Sequence, residues 1–483
     1  MESLKEKYET VVGLEVHAQL LTKTKLFSSD AAAYGGEPNT HISAVTLALP
    51  GTLPKLNRKA IEFAIQMGLA CNCEIERVNY FARKHYFYPD LPKGYQITQH
   101  ETPICGGGVV TIKTNNDKKQ IRLNHIHLEE DAGKSMHDQD EQYSNIDYNR
   151  AGVPLIEIVS EPDLRSGEEA YAFITELRKL VRHLGICDGN MEEGSMRCDA
   201  NISVRKKGDP KLGTKVEVKN LNSIRNVKRA IEWEAERMMN MLDSGEKIKQ
   251  ETRSFDAETG TSFSLRTKEE ADDYRYFTDP DLPPFLVSED WIDDIRNNMP
   301  ELPEAITLRY MNKFGLSEYD AVQLSDDKST SQYFESIIQH TNHYKAAANW
   351  ILGPVKSHLN ENNLSIEELR LPASSIAKII ELVEGRAINF SVASSRLLPA
   401  LLEQPTRDPG VLLQELNLSQ VGDTDVVEQW VNEALSKMPE KVAEYKKGKK
   451  GLLGLFVGEV KKMSKGKADP KLVNDLLMEK LKQ

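Results

Sequence analysis

Residues 11–20 read VVGLEVHAQL, and this alternation constrains the fold more than any other feature of the chain. Side chains along a strand point to opposite faces in turn. Val12, Leu14, Val16, Ala18 and Leu20 therefore share one face, and Gly13, Glu15, His17 and Gln19 share the other. Three further segments repeat the pattern. MRCDANISVR sets Met196, Cys198, Ala200, Ile202 and Val204 against Arg197, Asp199, Asn201, Ser203 and Arg205. TKVEVKN sets Val216 and Val218 against Lys215, Glu217 and Lys219. RLNHIHLEEDAGK is less regular and brings His127, Glu129, Glu130 and Asp131 close together. In an ideal strand Glu129 and Glu130 point to opposite faces, so both reach one site only across a bulge or turn.

If these segments share a sheet, its polar face gathers Glu15, His17, Asp199, Glu217 and at least one of Glu129 and Glu130. Carboxylates collected with little to neutralise them are costly unless a cation sits among them. Carboxylate oxygens with one imidazole and no thiolate suit Mg2+ or Mn2+ better than structural zinc. The plainer alternative is a solvated sheet face with scattered charges.

A basic and aromatic stretch, FARKHYFYPDLPKGYQITQ, adds phosphate-binding potential through Arg83, Lys84 and Lys93. A P-loop is excluded: Gly133 to Ser135 supply its ending, but its first glycine would fall at Leu128. The five cysteines, Cys71, Cys73, Cys105, Cys187 and Cys198, are few and odd in number. They predict a reducing compartment, the cytoplasm, and offer no nucleophile in a catalytic setting. The polar start, MESLKEKYET, has no signal-like apolar run, and GLLGLFVG (residues 451–458) is too short to span a membrane.

At 483 residues the chain exceeds one ordinary core. Its first part mixes short alternating runs with helices. RSGEEAYAFITELRKLVRHLG predicts a helix capped by Ser166 with Glu169 in capping-box spacing, an apolar stripe of Tyr171, Ile174, Leu177, Val181 and Leu184, and a stop at Gly185. A second helix carries Val227, Ile231, Met238 and Leu242 on one face. Pro-rich TDPDLPPFLVSEDW and MPELPEAI suggest a boundary near residue 295, and EQPTRDPG suggests another at 403–410. The expectation is an α+β protein. A mostly antiparallel β-sheet cradle with flanking helices covers 1–295, an all-α helical domain 296–405 and a basic helical tail 406–483. The overall net charge is −12, yet from Lys441 onward twelve lysines face five acids, which points to an anionic partner for the tail.

Beyond the opening strand, HLEEDAGKS, IDYNRAGVPLIEIVSEPD, MEEGSMRCDANIS, KVEVKNLNS, ETRSFD and DYRYFTDPDLPP closely resemble the B-subunit family of aspartyl/glutamyl-tRNA(Asn/Gln) amidotransferases. The resemblance runs from about residue 8 to the end. It implies a component that uses ATP to phosphorylate the side-chain carboxylate of misacylated Glu-tRNA(Gln) or Asp-tRNA(Asn). Ammonia from the A subunit, an amidase-type glutaminase, then gives Gln-tRNA(Gln) or Asn-tRNA(Asn), and a small C subunit completes the complex. The family's Mg2+ positions carry over onto Glu15, His17, Glu129, Glu130, Asp199 and Glu217. The expectation is that Glu15, His17, Glu217 and Glu130 hold one metal and act in catalysis, with Glu129 and Asp199 on or beside it. Lys84 and Lys93 are expected on phosphate. Lys446, Lys447, Lys449, Lys450, Lys461, Lys462, Lys465 and Lys467 are expected on the tRNA backbone. Family members often carry zinc-suited cysteines after the first strand. Here that stretch has Ser28 and Ser29 and no cysteine, so no zinc is expected. The competing reading is a tRNA-binding adapter without chemistry of its own.

Overall fold

A computed structural model describes residues 4–114, 117–136, 143–267, 274–420 and 424–482. The alternating segments become β1 (Tyr8–Gln19), β4 (Lys118–Glu130), β6 (Met196–Lys206) and β7 (Val216–Leu221). With them run β2 (Ala82–His85), β3 (Tyr95–Thr98), β5 (Pro154–Ser160), β8 (Glu251–Asp256), β9 (Thr261–Thr267) and β10 (Arg275–Thr278). They lie in the order β9-β8-β7-β6-β1-β5-β4-β3-β2-β10 within a 13-stranded sheet. Neighbours along this order pair antiparallel, except β7 with β8, which run parallel. Three short strands, Glu74–Ile75, Cys105–Gly106 and Val109–Lys113, extend the sheet beside β4.

One face of the sheet is dry. Val12, Leu14, Val16 and Ala18 of β1 join Ala200, Ile202, Val216 and Val218 in a single core. Helices α1 (Arg58–Ala70), α2 (Gly167–Leu184) and α3 (Ile224–Asp243) contribute Ile65, Phe173, Leu177, Val227, Ile231 and Met238 to it. Burying each such side chain contributes about 1.5–3 kcal/mol, which pins the register and leaves the polar residues on the opposite face.

The start and stop of α2 fall where the sequence puts them. The Ser166 hydroxyl accepts from Glu169 N at 3.2 Å, and Gly185 closes the helix at φ +70°. The Glu169 carboxylate, however, accepts from Arg165 N at 2.8 Å, one residue earlier than a capping box requires. Tyr171 is 40% exposed, whereas Ala170 and Phe173 are buried. The buried stripe is centred on Ala170, Ile174, Leu177 and Val181, one residue round the helix from Tyr171.

The chain divides into compact units of residues 1–302 and 303–483. The helix Glu289–Asn298 crosses residue 295 and buries Ile292 and Ile295 in the first core, so that unit continues to Leu302. The second unit is helical and holds two apolar clusters, from Ile306 to Leu418 and from Val427 to Leu481. The helix Pro409–Glu415 buries Leu412 and Leu413 in the earlier cluster, so the changeover lies beyond residue 405. The later cluster is built by α4 (Thr424–Lys437), α5 (Pro439–Lys446), α6 (Leu453–Met463) and α7 (Pro470–Lys482). Among the described residues, no helix is long and apolar enough to cross a membrane.

Candidate cation centre on the polar sheet face

Register alone assembles the polar face. Opposite one another across β4, β5, β1 and β6 stand His127, Glu157, His17 and Arg197, a row of imidazole, carboxylate, imidazole and guanidinium. The next row places Glu15 opposite Asp199, and Asn201 one step on faces Glu217 of β7. Cross-strand partners of this kind sit close enough for their side chains to interact directly.

Two donor groups result. Glu15, Asp199 and Glu217 present carboxylate oxygens that all lie within 4.8 Å of one another. His17, Glu129 and Glu157 present a second group meeting the same limit. In the first, Asn201 Nδ2 donates to Glu15 at 2.8 Å and Thr252 Oγ1 donates to Glu217 at 2.9 Å. The Lys219 ammonium lies 2.6 Å from Asp199 and 2.9 Å from Glu217. Burial, then the charges of Glu157, Asp199 and Glu217, push the Glu15 carboxyl above its ordinary value, against the Asn201 hydrogen bond. For Lys219, burial opposes the charge, but the two carboxylates outweigh it and hold the ammonium well above its usual range.

In the second group, His17 Nε2 stands 3.4 Å from Glu157 and 3.8 Å from Glu129. His127 Nε2 stands 3.5 Å from the same Glu157 oxygen and 3.6 Å from Glu129. Burial disfavours the imidazolium of His17, yet its hydrogen bond to Glu157 and the charges of Glu157 and Glu129 outweigh this and raise it to about 9. Glu157 is driven the opposite way. Burial pushes its carboxyl up, but His17, His127 and Lys84 together hold it far below the carboxylate range. His125, beyond His127, is lowered to about 4 by burial and by the His127 charge.

The structure separates some expected residues. The four residues expected on one metal do not stay together: His17 lies in a different donor group from Glu15 and Glu217, and Glu130 joins neither, because no bulge intervenes between it and Glu129 and the two point to opposite faces. Glu130 is 2% exposed, pairs with Lys93 at 2.5 Å and accepts from Ile97 N at 2.9 Å. Both belong to the wall of a cavity of about 260 Å³ that Lys25, Phe27, Thr46 and Asp131 also line. Lys93 therefore faces this cavity. Lys84 does turn toward the donor groups: its ammonium is 4.9 Å from the Tyr274 ring centre and is among the charges acting on Glu157. His17, Glu129, Asp199, Glu15 and Glu217 all lie in the two groups. In the tail, Lys446, Lys447, Lys449, Lys450, Lys461, Lys462 and Lys465 are exposed and Lys467 is half-buried. Lys449 pairs with Glu444 at 3.1 Å, Lys461 donates to Ser391 at 3.1 Å, and Lys450 lies over the Tyr445 ring.

Sequence reasoning did not place Glu157, Lys219 or Arg197 in the site. Glu157 sits among the aliphatics of PLIEIVS, and what marks it is its cross-strand partner, His17. Arg197 and Lys219 stand on the polar faces of their segments beside Asp199 and Glu217, where alternation alone assigns them no role. Arg197 Nη2 bonds Asp131 at 2.9 Å, and Gln19 donates to the same carboxylate at 2.6 Å, tying β4 to β1 and β6.

These features define a class: an antiparallel sheet whose polar face carries two oxygen-rich donor groups suited to hard divalent cations. A family model described as the GatB/GatE catalytic domain matches residues 10–293, and one described as the GatB domain matches residues 332–481. Proteins named as the B subunit of aspartyl/glutamyl-tRNA(Asn/Gln) amidotransferase are close relatives along almost the whole chain. That of Thermodesulfovibrio yellowstonii is 47% identical over 477 residues, covering 99% of this chain and 100% of the relative. That of Caldicellulosiruptor saccharolyticus is 47% identical over 480 residues, with the same coverage. The Geotalea daltonii protein is 48% identical over 478 residues, covering 98% and 99%. The chain belongs to the B-subunit family of aspartyl/glutamyl-tRNA(Asn/Gln) amidotransferases.

Proposed function

We propose that the polar sheet face is where ATP phosphorylates the side-chain carboxylate of a Glu or Asp esterified to tRNA. The chain is part of an ATP-dependent ligase that forms a carbon–nitrogen bond with glutamine as amido donor. It serves the conversion of Glu-tRNA(Gln) to Gln-tRNA(Gln), or of Asp-tRNA(Asn) to Asn-tRNA(Asn). The observation that carries the site is the pair of donor groups assembled side by side by five strands, β4, β5, β1, β6 and β7.

A carboxylate is unreactive toward ammonia because its leaving group would be oxide. Attack of a carboxylate oxygen on the ATP γ-phosphorus releases ADP and leaves an acyl phosphate. Ammonia then attacks the acyl carbon, inorganic phosphate departs, and the amide remains after loss of a proton. The first step brings two anions together. The donor chemistry fits Mg2+: Glu15, Asp199 and Glu217 would hold one ion, and His17, Glu129 and Glu157 another. Bound there, the metal supplies positive charge for the phosphate oxygens as the γ-phosphoryl transfers.

The chain's own side chains do the rest. His127 shares the Glu157 oxygen with His17, and so fixes the His17 ring. Lys84, Lys219 and Arg197 carry the positive charges that face incoming anions. Asp30 Oδ2 accepts from Ser28 at 3.0 Å, from Ser43 at 2.7 Å and from Thr46, so hydroxyls tie this stretch together. We assign the ammonia to an amidase-type A subunit held with a small C subunit, the exposed tail lysines to the tRNA backbone, and the complex to the cytoplasm.

The test is ADP formation by the assembled complex supplied with ammonium, with and without misacylated tRNA, beside Glu217→Gln and His17→Ala. ADP that requires Glu-tRNA or Asp-tRNA and collapses in both variants, while tRNA still binds, is expected. Unchanged ADP formation in those variants would move the chemistry elsewhere in the complex and make this protein a tRNA adapter.

A further inference from the structure

Between β6 and β7 the pairing register shifts. Cys198 faces Leu221 and Ala200 faces Val218, so Asp199 alone stands against two residues, Lys219 and Asn220. Asn220 takes the left-handed conformation, φ +63°, and its side-chain amide donates to Ser254 Oγ at 2.6 Å. This is a β-bulge, a device that re-aims side chains at the cost of one unpaired residue. What it aims is Lys219. The ammonium reaches 2.6 Å from Asp199 Oδ2 and 2.9 Å from Glu217 Oε1, bridging two strands across the first donor group.

We propose that Lys219 is a placeholder cation, which neutralises Asp199 and Glu217 until a divalent ion enters and displaces it. The inference rests on the reading of Glu15, Asp199 and Glu217 as a divalent-cation site. Mg2+–oxygen bonds of about 2.0–2.1 Å would draw the two carboxylates together through the space the ammonium now crosses. The ion and the ammonium therefore exclude each other. A lysine suits the exchange because its charge is a single point on a flexible four-carbon stem, where an arginine fork would stay locked in place. Once displaced, the ammonium remains tethered beside the site, free to turn to a phosphate of the nucleotide that the proposed function brings there. Lys219 is thus a positioning residue that acts first on the carboxylates and then on the nucleotide.

The test is Mn2+ binding to the full-length chain without nucleotide, followed by electron paramagnetic resonance. Lys219→Gln removes the competing charge at similar length and should tighten Mn2+ binding by on the order of tenfold, while raising KM for ATP in the complex. Lys219→Met is an independent neutral replacement should the first variant fold poorly, with circular dichroism as the check on both. Asn220→Gly keeps the left-handed turn and should bind Mn2+ as the parent does. A lysine that merely braces the strands predicts the opposite sign, because its loss would loosen the carboxylates. Mn2+ affinity unchanged or weaker in both lysine variants would overturn the exchange. Equal Mn2+ binding by the parent and Glu217→Gln would instead overturn the cation site beneath it, and the exchange with it.

Discussion

Glu129 and Glu130 are adjacent in one strand and live in opposite electrostatic worlds. Glu129 faces a surface where Glu15, Glu157, Asp199 and Glu217 also converge, answered by Lys219 and by imidazoles whose charge those same carboxylates sustain. Glu130 faces a cavity where Lys93 and Ile97 N satisfy both of its oxygens. Both glutamates are nearly fully buried, so burial does not separate them. Charge balance does: a surplus of carboxylate marks a surface that works with cations, whereas a closed pair marks architecture.

That contrast is easiest to break at Glu130. Glu130→Ala leaves the Lys93 ammonium, 12% exposed, without its counter-ion, and should cost about 3–5 kcal/mol of stability in denaturant unfolding. Replacing Lys93 by Met as well should restore most of it. Intact stability together with lost Mn2+ binding would place Glu130 on the cation face after all. On the other side, Glu217→Gln should lower tRNA-dependent ADP formation roughly a hundredfold or more, while unfolding stability holds or rises as a like charge leaves. A large stability loss there would make the acidic group structural.

Lys25 sharpens the cavity side by pH. It is 1% exposed, and burial lowers it to about 8 from an ordinary 10.5, with Asp30 and Glu130 pulling up and Lys93 pushing down. Between pH 8 and 10.5 the unfolded chain holds the proton that the folded one has shed, so this residue makes stability rise with pH across that window. Below pH 8 both states are protonated and the burial penalty is felt in full. Lys25→Met should flatten the rise and add about 2 kcal/mol near pH 7, read from denaturation at several pH values. The smallest effect is expected far from both faces. Ser166→Ala removes the α2 cap and should cost about 1 kcal/mol in the same unfolding measurement, with ADP formation unchanged.

Much of this arrangement is written in short-range pattern. Strand alternation gave β1, β6 and β7 and their dry faces, because a period of two leaves each residue only two choices. It therefore placed Glu15, His17, Asp199 and Glu217 on one polar face, though His17 falls in a different donor group from the other three. It could not choose between Glu129 and Glu130, since that depends on whether β4 bulges before its end, a property of its pairing with β5. Glu157 was hidden for a similar reason: a lone carboxylate among aliphatics takes its meaning from whichever residue faces it across the ladder. The bulge that aims Lys219 has no local mark beyond an asparagine. The edge near residue 295 was blurred because Pro-rich turns mark where the chain bends, while the helix that follows still buries Ile292 and Ile295 in the same core.

The end of β4 is a partition one residue thick, and it behaves like a reading frame. Its substitutions act locally, each touching the acidic face or the cavity. A change of length there would act on both at once, turning Glu130 toward the histidines and Glu129 toward Lys93. The two compartments are thus bound to a shared register. An insertion or deletion of one residue in this stretch should therefore cost more than any single exchange of residue type there.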